Sequence, residues 1–260
     1  MIKNFVNMVN KEIIKEIMKK WEFSELPLKD VERAYSMFER RQVSEEEKVR
    51  LTRELLHKIY GAFVSKKLLS LKDKDAEWIL RKHLSTRERL SYYQELYKRI
   101  LENFNGTIFD LGAGINGFSY KYFDKKIKYI AIEAVGQLVD LMNHYFKKEK
   151  LNAVAIHGSL FELEKIKKTI SIQKGEKIVF LFKVLDALEE FERDYSKKLL
   201  REIAPLVDKV VVSFATRSMA AKKKFKVNRS WIFDFIKQEF NVLDDFELGS
   251  ERYIVLEKRV

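Results

Sequence analysis

The chain has 260 residues, 46% of them hydrophobic, and its 51 lysines and arginines against 39 acidic residues give a net charge of +12. This hydrophobic content is enough for a folded core and excludes a disordered or fibrous protein. The sequence contains no cysteine, which excludes disulfides, iron–sulfur clusters and thiolate zinc sites. No apolar run approaches the roughly 20 residues of a membrane helix and no signal peptide is visible, so we expect a soluble, cytoplasmic protein. The positive charge favours an anionic partner, with nucleic acid first among the candidates.

Residues 1–104 show helical spacing of their apolar side chains and no strand pattern. A first helix is predicted over residues 5–21, which place apolar side chains on one face. Ser44 and Glu47 form a capping box, which predicts the start of a later helix. The spacing therefore predicts a helical N-terminal domain of about five or six helices.

The pattern changes after the turn pair Asn105–Gly106, where strand-like apolar runs begin to alternate with helical stretches. Helices are predicted over residues 137–150 and, as one continuous helix, from Leu185 to Ile203. This alternation predicts a parallel sheet with helices on both faces. The five strand-like runs are Thr107 to Leu111, Lys128 to Ile132, Ala153 to Ile156, Ile178 to Phe182 and Val210 to Phe214.

The end of the chain adds a helix near Trp231 and then two closely spaced runs, residues 241–248 and 252–256, joined by Gly249 and Ser250. The two runs predict an antiparallel hairpin. Residues 105–260 therefore have the outline of a Rossmann-like, class I methyltransferase domain that uses S-adenosylmethionine (SAM). The predicted fold is α/β: this sheet with its C-terminal hairpin, preceded by the all-α domain.

A glycine-rich loop, Asp110-Leu-Gly-Ala-Gly-Ile-Asn-Gly117, directly follows the first predicted strand. Glycines allow the backbone to approach a ligand there, at the edge where open α/β sheets bind ligands. Glu133 ends the second strand, 21 residues after Gly112, where its carboxylate can accept both hydroxyls of a ribose. The three glycines also fit the G-x-G-x-x-G pattern of NAD sites, but Asp110 and the hairpin favour SAM.

Four segments in order carry a further resemblance. They are His83-Leu-Ser-Thr-Arg-Glu-Arg-Leu90, Asp110-Leu-Gly-Ala-Gly-Ile-Asn116, Leu181-Phe-Lys-Val-Leu-Asp-Ala-Leu-Glu189 and Val211-Val-Ser-Phe-Ala-Thr-Arg-Ser218. The first is similar to an H-x-S-T-x-E-R signature, and together they resemble the aminoglycoside-resistance 16S rRNA (guanine-N7)-methyltransferases. Ser85 and Glu88 also fit a plain capping box that would start a helix running to about Phe104.

The resemblance implies SAM as cofactor and assigns residues to it. Arg89 is expected to bind the SAM carboxylate by a bidentate pair, and Glu133 to bind the ribose. The family commonly has an acid after the third strand, where this chain has Ser159, so Ser159 is expected to hydrogen-bond the adenine. The full set expected to bind the cofactor is Arg89, Asp110, Gly112, Ala113, Gly114, Asn116, Glu133, Ala134, Ser159, Leu160, Phe182 and Lys183.

The resemblance also implies an RNA target in the small ribosomal subunit, with residues 1–104 as the RNA-recognition domain. Lys183 and Arg217 are expected to position the target guanine as the catalytic residues, without a general base. The histidines show no metal-ligand spacing, and no metal is expected. The residues expected to bind RNA are Arg217, Lys222, Lys223, Lys224, Lys226 and Arg229.

Two other readings stay open on the sequence. One is a SAM-dependent methyltransferase for tRNA or for a small molecule, although the lysines after Arg217 speak against the small molecule. The other is a catalytically silent RNA-binding or assembly protein on the same scaffold. Gly117 and Ser159, which both depart from the residues that the family tends to have at these positions, give it some weight. SAM binding would separate the second reading from an active enzyme.

Overall fold

The N-terminal part of the chain is helical in the computed structural model, which describes residues 11–60, 66–70, 73–123, 126–216 and 229–259. Ser44 caps its helix as predicted, because its Oγ accepts a hydrogen bond from the backbone N–H of Glu47 at 3.2 Å. The helices are α1 (11–18), α2 (Leu28–Glu39), α3 (Glu45–Ile59), α4 (Lys66–Leu69), α5 (Ala76–Leu80), α6 (Leu84–Arg89) and α7 (Tyr93–Ile100).

The helix predicted from Ser85 to Phe104 is in fact two helices, α6 and α7. His83, not Ser85, is the N-cap residue of α6, and its side chain makes no capping hydrogen bond. A turn in which the N–H of Tyr92 donates to the carbonyl of Arg89 at 2.8 Å separates α6 from α7. The capping-box prediction at Ser85 and Glu88 was therefore wrong, and Ser85 is buried within the helix.

The C-terminal part forms one seven-stranded sheet with the order β3-β2-β1-β4-β5-β7-β6. The first five strands are parallel, and β7 pairs antiparallel with both β5 and β6, which confirms the predicted fold with its hairpin. The strands are β1 (Thr107–Leu111), β2 (Lys128–Glu133), β3 (Ala153–His157), β4 (Lys177–Phe182), β5 (Lys209–Ala215), β6 (Phe240–Leu248) and β7 (Glu251–Lys258).

Within the described residues, five further α-helices connect and flank these strands. They are α8 (Gly136–Lys148), α9 (Leu163–Ser171), α10 (Leu185–Phe191), α11 (Tyr195–Ile203) and α12 (Ser230–Glu239). The predicted continuous helix from Leu185 to Ile203 is split, because Asp194 has a left-handed φ of 62°. The carboxylate of Glu189 accepts the N–H groups of Asp194 and Ser196 and stabilises this break.

The helical part and the sheet share one hydrophobic core. Buried Phe23, Leu56 and Leu80 from the N-terminal helices belong to the same cluster as Phe180 and Tyr253 from the sheet. A second cluster, on the other face of the sheet, includes apolar residues of α9, α11 and α12. None of the helices within the described ranges has the length and apolar content that crossing a membrane requires.

Candidate active site at the carboxyl ends of the strands

A cavity of about 510 Å³ opens at the carboxyl ends of β1, β2 and β4. This is the edge where open parallel sheets bind their ligands. All but one of the residues expected to bind the cofactor line it, the exception being Ser159. They are Arg89, Asp110, Gly112, Ala113, Gly114, Asn116, Glu133, Ala134, Leu160, Phe182 and Lys183.

The glycine loop after β1 needs glycine for different reasons at different positions. Gly112 and Gly114 have φ values of +72° and +55°, which L side chains rarely adopt. A Cβ on Gly114 would meet nothing within 4 Å, so its backbone borders open space in the cavity. A Cβ on Gly117 would lie 2.6 Å from Cζ of Phe146, so this third glycine serves packing against α8. Residues Asn116–Tyr122 form a 3₁₀ helix, not the α-helix that follows the loop in dinucleotide sites.

The carboxylate of Glu133 fastens this loop to the end of β2. Its Oε2 accepts the N–H of Gly114 at 2.8 Å, and its Oε1 accepts the N–H of Val135 at 2.9 Å. Burial raises the pKa of Glu133, while the backbone hydrogen bonds act against that rise. A carboxylate has about four acceptor positions, so Glu133 can still accept a hydroxyl group from the cavity.

Arg89 also lines the cavity, and it forms a buried bidentate ion pair with Glu251 from the start of β7. Its Nε and Nη2 lie 3.1 and 3.3 Å from the two Glu251 oxygens, and the side chains are 4% and 3% exposed. Its Nη1 donates to Oδ1 of Asn116 at 3.0 Å. Burial acts to raise the pKa of Glu251, but the charges of Arg89 and Lys183 outweigh it and the pKa is lowered. Arg89 therefore stays charged beside the cavity, but its bidentate partner here is Glu251.

Asp110 belongs to the same hydrogen-bond network. Its Oδ2 accepts from Nδ2 of Asn116 and from the hydroxyl of Tyr129, both at 2.7 Å. Burial raises the pKa of Asp110, against the effect of these two hydrogen bonds. A continuous polar chain thus links Glu251, Arg89, Asn116 and Asp110 beneath the loop.

Lys183 follows β4 with a left-handed φ of 59°, which costs a non-glycine residue about 1 kcal/mol or more. Its N–H donates to the carbonyl of Ser213 at 3.1 Å, which holds this conformation. Its Nζ lies 3.1 Å from Oε2 of Glu88 and 3.3 Å from Oε2 of Glu251. Strained residues of this kind cluster at functional sites, and this one lies on the cavity wall.

Ser159 does not line the cavity, contrary to the prediction from the sequence. Its hydroxyl donates to Oδ1 of Asp30, which comes from α2, and its Oγ accepts the N–H of Phe161 at 3.0 Å. Tyr60, at the end of α3, donates to the other oxygen of Asp30 at 2.8 Å and does line the cavity. The buried Asp30 binds the serine hydroxyl away from the cavity, and sequence spacing carried no signal for Asp30 or Tyr60.

Arg229 is not the surface arginine that an RNA phosphate contact requires. Its side chain is 8% exposed, and its Nη2 pairs with Oδ2 of Asp186 at 2.7 Å. Its Nη1 donates to the carbonyl of Ala215 at 2.8 Å, so it ties the start of α12 to α10 and β5. The other predicted RNA contacts, Arg217, Lys222, Lys223, Lys224 and Lys226, lie outside the described residues.

The residues around the cavity fit SAM. The backbone at Gly114 leaves open space beside a carboxylate suited to ribose hydroxyls, and a buried arginine also lines the cavity. Across the described part of the chain, no group of three or more His, Asp or Glu side chains is arranged to hold a metal ion. Fold and site together define a class I SAM-dependent methyltransferase.

Comparison with known proteins places the chain within that class. The family model described as ribosomal RNA methyltransferase (FmrO) matches residues 70–230. The chain belongs to this family and is a SAM-dependent rRNA methyltransferase.

Two curated relatives are similar over most of their length. The 16S rRNA (guanine(1405)-N(7))-methyltransferase of Proteus mirabilis is 24% identical over 87% of this chain and 88% of its own. A protein of the same description from Micromonospora rosea is 25% identical over 81% of this chain and 82% of its own.

Solved structures of similar fold cover almost the whole chain. The 16S rRNA methylase RmtB has a TM-score of 0.78 at 21% identity, over 96% of this chain and 98% of its own. The 16S rRNA methyltransferase RmtF, solved with S-adenosylhomocysteine, also has a TM-score of 0.78, at 18% identity over the same shares. These likenesses include the N-terminal helices as part of the shared fold.

Proposed function

We propose that this protein transfers the methyl group of SAM to N7 of a guanine in 16S rRNA, on the assembled small ribosomal subunit. The observation that supports the proposal is the cavity, whose lining includes the Glu133 carboxylate and the Arg89 and Lys183 cations. Both curated relatives are 16S rRNA (guanine-N7)-methyltransferases. Such a substrate implies a cytoplasmic location.

The reaction requires little acid–base catalysis by the protein. SAM supplies a methyl group on a positively charged sulfur, and guanine N7 has a lone pair and no proton at neutral pH. The chain therefore has to bind and orient the two partners, which can contribute several kcal/mol, and no general base is needed. Glu133 would hold the ribose hydroxyls, and Arg89 the cofactor carboxylate, with Asp110, Asn116 and Glu251 fixing the arginine. The glycine loop, Leu160 and Phe182 would enclose the ligand and exclude water.

The target base must reach the mouth of this cavity. A guanine in a helix has to be turned out of its stack, at a few kcal/mol. Lys183 and Arg217 are proposed to position the base, and Lys222, Lys223, Lys224 and Lys226 to bind phosphates nearby.

We expect Arg217→Ala to abolish methyl transfer and to leave the Kd for SAM unchanged. A tenfold loss of SAM affinity in that variant would show that this role is assigned to the wrong residue.

Methyl transfer to defined RNAs tests the proposal. Purified protein is incubated with labelled SAM and with small ribosomal subunits, naked 16S rRNA or tRNA, and the digested nucleosides are identified by mass spectrometry. We expect 7-methylguanosine in 16S rRNA, formed faster on the assembled subunit, because RNA of this kind is recognised largely by shape and backbone.

The other outcomes separate the alternatives. Equal rates on subunits and naked rRNA would contradict the assembled-subunit part of the proposal. Label in tRNA alone, or a methylated nucleoside other than 7-methylguanosine, would assign a different RNA target. Tight SAM binding without transfer to any RNA would contradict the proposed reaction.

A further inference from the structure

Four carboxylates line the cavity within the described part of the chain, and one of them takes no part in the proposed function. Asp110 and Glu133 hold the glycine loop and its hydrogen-bond network. Glu190 pairs with Lys58 of α3 at 2.6 Å. The fourth carboxylate belongs to Asp186, which lies in the first turn of α10, just after β4.

Asp186 is held by a buried arginine but stays accessible. The Nη2 of Arg229 donates to Oδ2 of Asp186 at 2.7 Å, and its Nε lies 3.1 Å from both carboxylate oxygens. Arg229 is 8% exposed, whereas the side chain of Asp186 is 39% exposed. A carboxylate has about four acceptor positions, and Arg229 occupies only part of them. Asp186 can therefore accept further hydrogen bonds from a ligand in the cavity.

Arg229 is itself fixed at the end of β5. Its Nη1 donates to the carbonyl of Ala215 at 2.8 Å, and its guanidinium carbon lies 5.4 Å from the ring centre of the buried Phe214. In the sheet, β5 is the neighbour of β4, whereas β1 separates β4 from β2, which Glu133 ends. The Asp186–Arg229 pair therefore belongs to the β4 and β5 part of the sheet edge, and the carboxylate proposed for the ribose belongs to β2.

Guanine carries hydrogen-bond donors that suit a carboxylate. Its N7 and O6 accept hydrogen bonds, whereas its N1–H and its 2-amino group donate them. Because N7 has to face the methyl group, the two donors point away from the reacting atoms and are free to bind the protein. A carboxylate can accept both donors at once. Adenine, cytosine and uracil have no such pair of adjacent donors.

The charge of Asp186 also restricts the part of an RNA that can bind it. A carboxylate repels the phosphates of the RNA backbone, which lysine and arginine bind instead. Enzymes that turn a base out of its stack read that base by hydrogen bonds to the edge that carries N1. An accessible carboxylate in the cavity lining therefore suits the base and not the backbone.

We propose that Asp186 selects guanine, by accepting the N1–H and one N–H of the 2-amino group of the target base. Arg229 is the positioning residue that holds the carboxylate for this contact. The proposal rests on the proposed function, because it takes a guanine turned out of an RNA as the second ligand of the cavity.

Small ribosomal subunits that carry guanosine or inosine at the methylated position test the proposal. Inosine lacks only the 2-amino group and keeps N7, O6 and N1–H. Subunits are reconstituted with 16S rRNA of either kind, and transfer of the methyl group from labelled SAM gives kcat/KM for each. For the wild type we expect kcat/KM to be about tenfold or more lower with inosine, because a hydrogen bond to a charged group is lost.

Variants of the pair connect this discrimination to Asp186. Asp186→Asn should lower kcat/KM for guanosine about tenfold or more and that for inosine much less, because the variant and inosine each lack the same hydrogen bond. The Kd of S-adenosylhomocysteine should stay unchanged in this variant. Arg229→Met should also bring the ratio of the two kcat/KM values toward one. Arg229→Lys, which keeps a cation beside Asp186, should restore part of the ratio.

Glu239→Gln is the matched control. Glu239 is also 39% exposed and also pairs with an arginine, Arg201, at 2.8 Å. It ends α12 and does not line the cavity. This variant should keep both kcat/KM values of the wild type.

Several results would overturn the proposal. Equal kcat/KM values for guanosine and inosine in the wild type would contradict it, and this comparison depends on no variant. Equal losses on both substrates in Asp186→Asn would show a structural role only, and a tenfold loss of affinity for S-adenosylhomocysteine would assign Asp186 to the cofactor. Absence of 7-methylguanosine from every RNA tested would contradict the proposed function itself, so the two failures are distinct.

Discussion

At the scale of single residues, the two hydrogen bonds of Glu133 connect loop geometry to ligand binding. Glu133→Gln places an NH₂ group opposite one of two backbone N–H donors, and an unsatisfied buried donor costs about 1–3 kcal/mol. It also removes an acceptor for the ribose. We expect a rise of about tenfold or more in the Kd of S-adenosylhomocysteine, equivalent to about 1.4 kcal/mol, and a lower unfolding temperature.

Glu164→Gln is the control for this change, because that side chain is 86% exposed and lies on α9. Titration calorimetry and thermal unfolding of both variants measure the two effects. An affinity in Glu133→Gln equal to that of the control would remove Glu133 from the proposed cofactor site.

His83 makes stability depend on pH in a direction that can be worked out. Burial, with the charges of Arg89 and Lys183, lowers its pKa from 6.5 to about 4. The unfolded chain therefore takes up a proton on His83 below about pH 6.5, whereas the folded protein does so only near pH 4. The contribution of His83 to the free energy of unfolding is fully present above the pKa that it has in the unfolded chain. This contribution is lost as the pH falls toward the pKa of the folded protein, and the loss amounts to at most about 3 kcal/mol.

The free energy of unfolding of the wild type should therefore fall between pH 7 and pH 4.5 by more than that of His83→Gln. We expect the difference to be about 2–3 kcal/mol. Urea titrations at the two pH values measure this difference. Asp110 and Glu133, whose pKa values are raised, act in the opposite sense, but they are present in both proteins and cancel. Identical pH dependence in the two proteins would mean that His83 keeps an ordinary pKa.

At the scale of elements, the Arg89–Glu251 pair joins α6 to the C-terminal hairpin. Glu251→Gln leaves the buried guanidinium without its bidentate partner, and breaking a buried pair in this way costs about 3–5 kcal/mol. The same hairpin carries an exposed pair, Arg252 and Asp245, at 2.6 Å. We expect Asp245→Asn to cost less than about 1 kcal/mol.

Urea unfolding of both variants compares the two pairs directly. Arg89→Met combined with Glu251→Gln should cost less than the sum of the single changes, because the second removes a charge already left unpaired. Equal, small losses in Glu251→Gln and Asp245→Asn would show that the buried pair does not hold the hairpin to α6.

The helices and strands also differ in how well the sequence predicts them. The predicted parallel strands agree with β1 to β5 to within one residue at each end. Strands buried on both faces give continuous apolar runs with clear limits. The helix breaks at Asp194 and after Arg89 were missed, because side-chain and tertiary contacts, not local propensity, stabilise them.

The candidate site also contains some features that the sequence predicts and others that only the folded chain shows. The glycine loop and Glu133 could be predicted, because strand and loop are adjacent in sequence and the fold fixes where they meet. Ser159 and Asp30 are 129 residues apart, and Arg89 and Glu251 are 162 apart. No spacing rule joins such residues, so the partners that redirect Ser159 and hold Arg89 are apparent only in the folded chain.

At the scale of the whole molecule, the shared core bears on the proposed division into residues 1–104 and 105–260. The two parts differ in their elements, but Tyr97 of α7 stacks at 6.1 Å on Phe180 of β4 within one cluster. Removing either part would expose the apolar surface that the other covers. We therefore expect the full chain to unfold in a single cooperative transition.

The three tryptophans allow this to be measured, because Trp21 and Trp78 lie in the helical part and Trp231 lies on α12. Trp231→Phe leaves fluorescence from the helical part alone, and Trp21→Phe with Trp78→Phe leaves only α12. Both reporters should show the same midpoint as circular dichroism. S-adenosylhomocysteine at about 100 times its Kd adds about 2.7 kcal/mol and should raise both midpoints together. An earlier transition of Trp21 and Trp78, with the ligand moving only Trp231, would mean that the helical part unfolds independently and takes no part in holding the cofactor.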